Sequence, residues 1–550
     1  MRHKAHAAGN AMTFEQTFGR LDIEAQKILQ ALAIYGRPVT ARAVSHLLRP
    51  FQPTLDTIRT EGRLEQLADD HPQLVQRETG HYFLTAEDCR AALTTVEEGE
   101  PSDRYERGEP LYTRYTLLDR AADHFKQRRK PRKAWQSLED ISAQLAEFDL
   151  RIQGEDYEVA AALLNEISFN YLLRWGHHRL VVEMRERLVD KLDDPKLAQA
   201  NLGELGSAYA YLGEMEKAIT CQERALVIAR RTRDRVNEGV WLTNLGNRYV
   251  NLGQTPRAVP YYEQALVIAR DQRDRRAEAL NIASLGTCYA YLGQMEKAIE
   301  YYDQGRGIAR ELNDLSMEGF CLSNLGNIYA SLGQATRAIA AHDQALEIAR
   351  QMGSRVEEAR RLGSLADALI IGEHYAEAID NLQLGLQLDD ETGSARGKNY
   401  KGSSLARAYL LQGELAQARA AAEAARLYDT PQNNHNVTAI LGVIAVRQGD
   451  ENAARDAFTE AIEQARIALE HNENNQDALA AQGLAFSGLA VVGAGPRATN
   501  LEAAITAYRA AYQANNGAGL AALSTRLFDA LAAADPEGRI ASVRAAITGG

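Results

Sequence analysis

Leu325–Ala345 reads LGNIYASLGQATRAIAAHDQA, and the same skeleton recurs at a fixed spacing before and after it. Leu205, Leu245, Leu285, Leu325, Leu365 and Leu405 are each forty residues apart, and so are Ala218, Ala258, Ala298, Ala338, Ala378 and Ala418. The residue after each Leu is Gly206, Gly246, Gly286, Gly326, then Ala366 and Ala406. Four positions after the Leu come Tyr209, Tyr249, Tyr289, Tyr329, Leu369 and Tyr409. Within one copy, apolar residues fall three and four apart on both sides of a Leu-Gly pair, as in Leu325, Tyr329, Leu332 and Gly333, then Ala338, Ala345 and Ile348. This predicts two amphipathic helices meeting at a glycine turn. Small residues such as Gly326, Ala338 and Ala345 are expected where the two helices cross, because a larger side chain there would push the axes apart.

The skeleton resembles the tetratricopeptide repeat, in its forty-residue variety. A helical hairpin with two apolar faces cannot bury both alone, so stacked neighbours supply the rest of the core. The expected fold is therefore all-α, a right-handed α-solenoid with an extended inner groove, and such a groove binds more often than it transforms.

A chain of 550 residues with a net charge of -12 argues against a general binder of nucleic acid or anionic membrane. No apolar run reaches the length of a membrane span and no signal-peptide pattern opens the chain, so the expectation is a cytoplasmic protein. Four cysteines give no disulfide framework. Cys221, Cys288 and Cys321 fall at ordinary repeat positions, where packing accounts for them.

In order, residues 1–12 read as a disordered lead. From 13 to 97, three helical segments precede LVQRETGHYFLT, a strand, a tight turn at Thr79 and Gly80, and a second strand; Thr85 with Asp88 then opens another helix. Three helices with a two-stranded wing make a small winged-helix domain. The run LEQLADDHPQLVQRETGHYFLTAEDCRAAL resembles the winged helix of bacterial NB-ARC or STAND-type signalling ATPases. Its third helix sets Arg59 and Arg63 against Asp56, Glu61, Glu65, Asp69 and Asp70, a balance ill suited to phosphates. Residues 98–115 read as a linker, and 116–196 as degenerate hairpins. The run Lys126–Lys133, KQRRKPRK, is read as an exposed turn, the alternative being a docking patch for an acidic partner or nucleic acid. Six regular copies span 197–428, two irregular ones 429–516, and capping helices 517–550.

Catalytic patterns are missing where they were sought. The only Gly-Lys pair, Gly397 with Lys398, is followed by Asn399 and lacks the glycine that a phosphate-cradling loop requires. A caspase-like protease needs a His and a Cys on strand ends of an α/β fold, and no strand-helix alternation carries them. His81 with Cys89, and adjacent His177 with His178, do not form a catalytic or metal pair. No enzyme activity, cofactor or metal is expected.

In tetratricopeptide repeats the inner surface is lined by the first helix of each pair, at positions two, five and six after the conserved Leu. Here the first of these reads Ser207, Asn247, Thr287, Asn327, Asp367 and Arg407; the last reads Tyr211, Asn251, Tyr291, Ser331, Ile371 and Leu411. Asn247 and Asn327 resemble the amides that contact extended peptide backbone in kinesin light chain and the LGN spindle-orientation protein. The alternative, an Asn tolerated on a solvated helix, stays open. The partner-binding candidates are Ser207, Tyr211, Asn247, Asn251, Thr287, Tyr291, Asn327, Ser331, Asp367 and Arg407. The wall turns apolar at Ile370, Ile371, Leu410 and Leu411, which suggests an anchor for the ligand or a C-terminal segment folded back there. The leading expectation is a non-enzymatic scaffold or sensor that binds a protein or extended peptide. The resemblance implies bacterial signalling or defence, with a caspase-like or similar effector in trans. The alternatives are a transcription regulator with a DNA-binding winged helix, and a signalling ATPase fragment without its nucleotide module.

Overall fold

The computed structural model describes residues 13–105 and 109–549, so the lead expected over residues 1–12 lies outside the described residues. The fold is an all-α solenoid of tetratricopeptide type, with one two-stranded hairpin among the described residues. It divides into two units, Met1–Arg248 and Tyr249–Gly550.

The first unit opens with helices Ile23–Tyr35, Ala41–Leu48, Thr57–Asp70 and Ala86–Leu93. Asp22, Asp56 and Thr85 start three of them, each side chain accepting a hydrogen bond from a backbone N–H of the first turn. Between the last two, Gln76–Glu78 pairs antiparallel with His81–Phe83. Thr79 and Gly80 both have positive φ, 46° and 75°, the geometry a two-residue hairpin demands. The core of this region, built on Ile28, Leu32, Val44, Leu64 and Tyr82, also takes in Leu117, Leu118 and Ala121 of helix Arg114–Lys126. That helix, read from the sequence as the start of the hairpin region, is thus packed into the N-terminal core. Tyr112 lies against the same core: its hydroxyl donates to Gln30 Oε1 at 2.8 Å and its ring stands edge-on to Phe51.

Helices Ser142–Gln153, Tyr157–Ile167 and His178–Glu186 follow, with a π-helical turn at Ser168–Leu173. Here ionic networks replace the regular small-residue crossings. Arg151 is buried among Asp119, Asp123 and Asp156, the last two at 2.9 and 3.1 Å. Three of the six basic residues of the run are paired internally: Arg129 with Glu147 at 2.8 Å, Lys130 with Asp140 at 2.7 Å and Arg132 with Glu166 at 3.0 Å. Arg185, fully buried, donates to Asn165 Oδ1, Ser168 Oγ and Glu204 Oε2 at 3.0, 2.7 and 2.5 Å. Burial pulls its guanidinium below the usual range and Glu204 opposes that shift. Copy one, Pro195–Tyr211 with Met215–Thr232, is stacked on this junction.

In the second unit, copies three to six are Arg275–Tyr291 with Met295–Glu311, Leu315–Ser331 with Ala335–Gln351, Arg355–Ile371 with Tyr375–Thr392, and Ala395–Gln412 with Leu415–Arg426. Gly293, Gly333 and Gly413 turn the hairpins with φ of 73°, 73° and 91°. The small residues do sit at the crossings: a Cβ on Gly326 would stand 2.6 Å from the His342 ring. An Arg on each second helix clamps a Glu on the next first helix, Arg270 to Glu278 at 2.9 Å, Arg310 to Glu318 at 2.5 Å and Arg350 to Glu358 at 3.1 Å. At the next joint the signs are exchanged, with Lys398 on Asp390 at 2.5 Å.

Two irregular pairs, Asn434–Arg447 with Glu451–His471 and Gln476–Val491 with Arg497–Ala514, complete the stack. The terminal stretch Ala541–Thr548 covers the last pair, packing on helix Arg497–Ala514. Helix Ala518–Ala532 runs instead across the first helices of copies four, five and six and of both irregular pairs.

Candidate functional site

On each first helix, the positions five and one before the conserved Leu and two and six after it are spaced four, three and four apart, so they share one face. In the second unit that face reads Leu280, Ser284, Thr287 and Tyr291; Phe320, Asn324, Asn327 and Ser331; Arg360, Ser364, Asp367 and Ile371; and Tyr400, Ser404, Arg407 and Leu411. It has two lanes. The lane at the C-terminal ends of these helices is covered from copy four onward by helix Ala518–Ala532. The lane at their N-terminal halves is open.

The open lane carries apolar residues in water. Leu280 and Phe320 are 44% and 42% exposed and Tyr400 is 37% exposed, at matching positions of three copies. Between copies three and four, Leu280, Met317 and Phe320 line a slot of about 570 Å³, rimmed by Asp274, Arg276 and Asp314. Between copies five and six a cavity of about 520 Å³ is lined by Arg360, Ser364, Asp367, Tyr400 and Ser404. Its floor holds a buried ion pair, Lys401 Nζ to Asp389 Oδ2 at 2.7 Å. Gly363 and Gly385 make room for the lysine stem: a Cβ on Gly385 would meet Lys401 Cδ at 2.8 Å.

The residues expected to line the groove have different fates. In the first unit, Ser207 bonds back to Gly203 O at 3.1 Å, and the largely exposed Tyr211 stacks its ring on His178 at 4.8 Å. Asn247 is half-buried and paired. In the second unit Asn251 and Tyr291 are exposed. Thr287 is tied to Tyr302 of its own hairpin, oxygen to oxygen 2.7 Å, which draws it away from the groove. Asn327 is exposed, about two turns beyond Phe320 on the same helix face. Ser331 lies under Gly517, whose Cβ, were it present, would fall closer to Ser331 Oγ than any van der Waals contact allows. Asp367 is exposed on the groove wall and accepts from Ser404 Oγ at 2.7 Å, with Arg407 4.0 Å away. Ile370 and Leu410 are buried, so in copies five and six the position five after the Leu belongs to the core.

The rows at Leu280 and Ser284 were missed by sequence reasoning. A signal existed: Val240, Leu280, Phe320 and Tyr400 are apolar at a position where a solvated helix face should be polar.

In the N-terminal region the two arginines of helix Thr57–Asp70 are occupied. Arg59 bonds Glu24 at 2.6 Å, and Arg63 bonds Asp22 at 2.5 Å and Glu24 at 3.1 Å. All four cysteines are buried as free thiols, and burial raises Cys288 to about 11 and Cys321 to about 12. Among the described residues no group of three or more His, Cys, Asp or Glu is placed to hold a metal, and no helix is long and apolar enough to cross a membrane.

Residues 196–271, 275–351 and 320–391 match the tetratricopeptide repeat family, and these segments are tetratricopeptide repeats. No curated protein matches the sequence. Among solved structures, the chain is similar to a signal transduction ATPase with numerous domains from Pyrococcus horikoshii that has a tetratricopeptide repeat sensor. The identity is 17%, with 83% of this chain and 65% of that one covered and a TM-score of 0.49; the chain thus spans a little under two thirds of that protein's length. It is also similar to a Rap protein complexed with competence and sporulation factor, at 14% identity, 68% and 99% coverage and a TM-score of 0.43. A kinesin-light-chain protein of Podosopora anserina with nearly identical repeats aligns at 20% identity, 37% and 100% coverage and a TM-score of 0.33.

Proposed function

We propose that the chain is a scaffold or sensor that holds a protein partner on the open lane of its first helices. The observation that carries this is the exposed apolar row of Leu280, Phe320 and Tyr400, with the slot between the first two and the exposed Asn327 amide farther along the same helix face. Exposed apolar residues aligned across neighbouring repeats lower the free energy of the chain only when a partner covers them. An amide on the same face supplies the hydrogen bonds that orient a peptide backbone. The partner is an effector in trans, of the kind found beside such arrays in bacterial signalling and defence, a caspase-like protease among them.

The N-terminal three helices and hairpin are read as a winged helix with a packing or regulatory role. The transcription-regulator reading is weakened by the ion pairs of Arg59 and Arg63, since a helix entering a groove of DNA must free its cations for phosphate.

The test is affinity capture of the tagged chain from its native lysate beside the double variant Leu280→Asp/Phe320→Asp. A stoichiometric protein recovered with the parent and lost with the variant is the expected outcome. Equal recovery would move the partner surface elsewhere, and recovery of duplex DNA that weakens with salt would favour the regulator.

A further inference from the structure

The segment Gly517–Ala532, GAGLAALSTRLFDALA, meets the repeats as a ligand would. On copies four and five it touches the first helices at their C-terminal ends, through the backbone of its first turn and through Leu523 and Arg526. A Cβ on Gly519 would lie 1.9 Å from the carbonyl oxygen of Ala330 and one on Gly517 2.3 Å from Ser331 Oγ, so only glycine admits this approach. Leu523 packs with the apolar cluster of Leu369, Ile370 and Leu411. Arg526 forks onto the last carbonyls of helix Arg355–Ile371, donating to Ile370 O and Ile371 O at 2.9 Å each, and its guanidinium stands 3.1 Å from Glu373. Ile370 O also accepts from Glu373 N at 3.1 Å in the turn that follows, and the arginine completes the capping of this helix end.

The wall departs from the repeat pattern where Arg526 and Leu523 touch it. Glu373 stands in the left-handed position that Gly293, Gly333 and Gly413 hold elsewhere, with φ 67°. Ile371 replaces the Tyr, Asn and Ser of the earlier copies. Residues 520–527 are all partly buried, while Phe528 and Leu531 are buried, so the first two turns are less deeply seated than the last.

We propose that helix Ala518–Ala532 is an internal ligand of the groove, and that a partner competes for this lane with a helix presenting a small residue, a leucine and an arginine in the spacing of Gly519, Leu523 and Arg526. Those three lie at i, i+4 and i+7, on one helical face. This rests on the reading of the first-helix face as the partner surface.

The probe is a fluorescein-labelled synthetic peptide of residues 515–533, titrated into the full-length chain and into full-length Gly519→Val, which unseats the internal helix and leaves the wall intact. Binding at least tenfold tighter to Gly519→Val is expected, with loss of that gain when the peptide carries Leu523→Asp or Arg526→Ala. Equal affinity for both chains would overturn the proposal, as would no binding by a Gly519→Val chain that retains its parent circular dichroism. Should that variant fail to fold, hydrogen exchange of the parent decides. Amides of 520–527 exchanging at least tenfold faster than those of Gln476–Val491 support a releasable helix, and equal protection refutes it. Tight peptide binding without any captured partner would fault the scaffold reading alone; a captured partner with no peptide binding would fault this proposal alone.

Discussion

Copies three and four, residues 275–351, and copies five and six, residues 355–426, share one backbone plan and differ in almost every polar device laid over it. In the former pair Lys297 and Arg337 lie over the Tyr289 and Tyr329 rings at 5.1 and 4.1 Å. In copy five the ring becomes Leu369 and the cation Glu377, so the two partners change together. Positions that hold Ala309 and Ala349 become Asp389, matched by Lys401. The joint pair inverts its charges at Asp390 and Lys398. The difference teaches that a repeat core, fixed by Leu, Gly and Ala at set offsets, leaves the polar positions free to be rewritten in matched pairs. Here they are rewritten around the cavity between copies five and six and where Leu523 and Arg526 meet the wall.

The sharpest way to break the comparison is at Lys401. Lys401→Met strands the Asp389 carboxylate in the core and should cost about 3–5 kcal/mol, read as a lowered urea midpoint. Adding Asp389→Ala, the residue of the neighbouring copies, should return the midpoint to within about 1 kcal/mol of the parent, because a buried pair is worth little over apolar packing. A midpoint that stays low would mean that the pair itself is required.

The next effect lies in copy four. His342 occupies the slot of Tyr302, and burial lowers its pKa from 6.5 to about 4. The unfolded chain takes up this proton at 6.5 while the folded chain resists until about 4. Stability is therefore fully present above 6.5 and falls as pH drops through that window, by about 3 kcal/mol for this residue. His342→Tyr, which restores the arrangement of copy three, should flatten the pH dependence of the midpoint between 6.5 and 4; an unchanged slope would assign the proton uptake to other groups, the buried His124 and His435 among them.

A smaller shift is expected at the inverted joint. Lys398→Glu sets two carboxylates together and should lower the midpoint slightly, and adding Asp390→Arg should restore it. If the double reversal fails to recover stability, the joint depends on more than charge. Smallest in stability is Asn327→Ala, which should leave the midpoint unchanged and weaken a verified partner by about 0.5–1.5 kcal/mol, measured by titration calorimetry.

The repeat plan was legible because forty-residue register repeats the same skeleton six times, so each Leu and Ala is read against five others. The N-terminal elements were legible from local chemistry, such as Thr85 before Asp88 and Thr79-Gly80 between strands. The seat of helix Ala518–Ala532 was legible in part: the apolar wall at Ile370, Ile371, Leu410 and Leu411 allowed a C-terminal segment folded back there, whereas the glycines that select Ala330 and Ser331 act through space. The groove was half legible. Its outer row at Tyr291 and Asn251 followed from the repeat pattern, but whether a hydroxyl faces the groove or its own hairpin, as Thr287 does, depends on the Tyr302 ring opposite it.

The reversed joint has a consequence for how the array finds its register. Near-identical hairpins can stack out of order, one copy skipped or two exchanged, with nearly the same apolar contacts. Placed on any earlier copy, Asp390 would confront Glu278, Glu318 or Glu358, and Arg350 slipped forward by one copy would confront Lys398. Each misplacement turns an attraction into a repulsion, and discrimination rests on that difference, however weak each correct pair is alone. Asp390 and Lys398 thus serve as a keyed notch that tells the chain which of its similar hairpins comes fifth and which sixth.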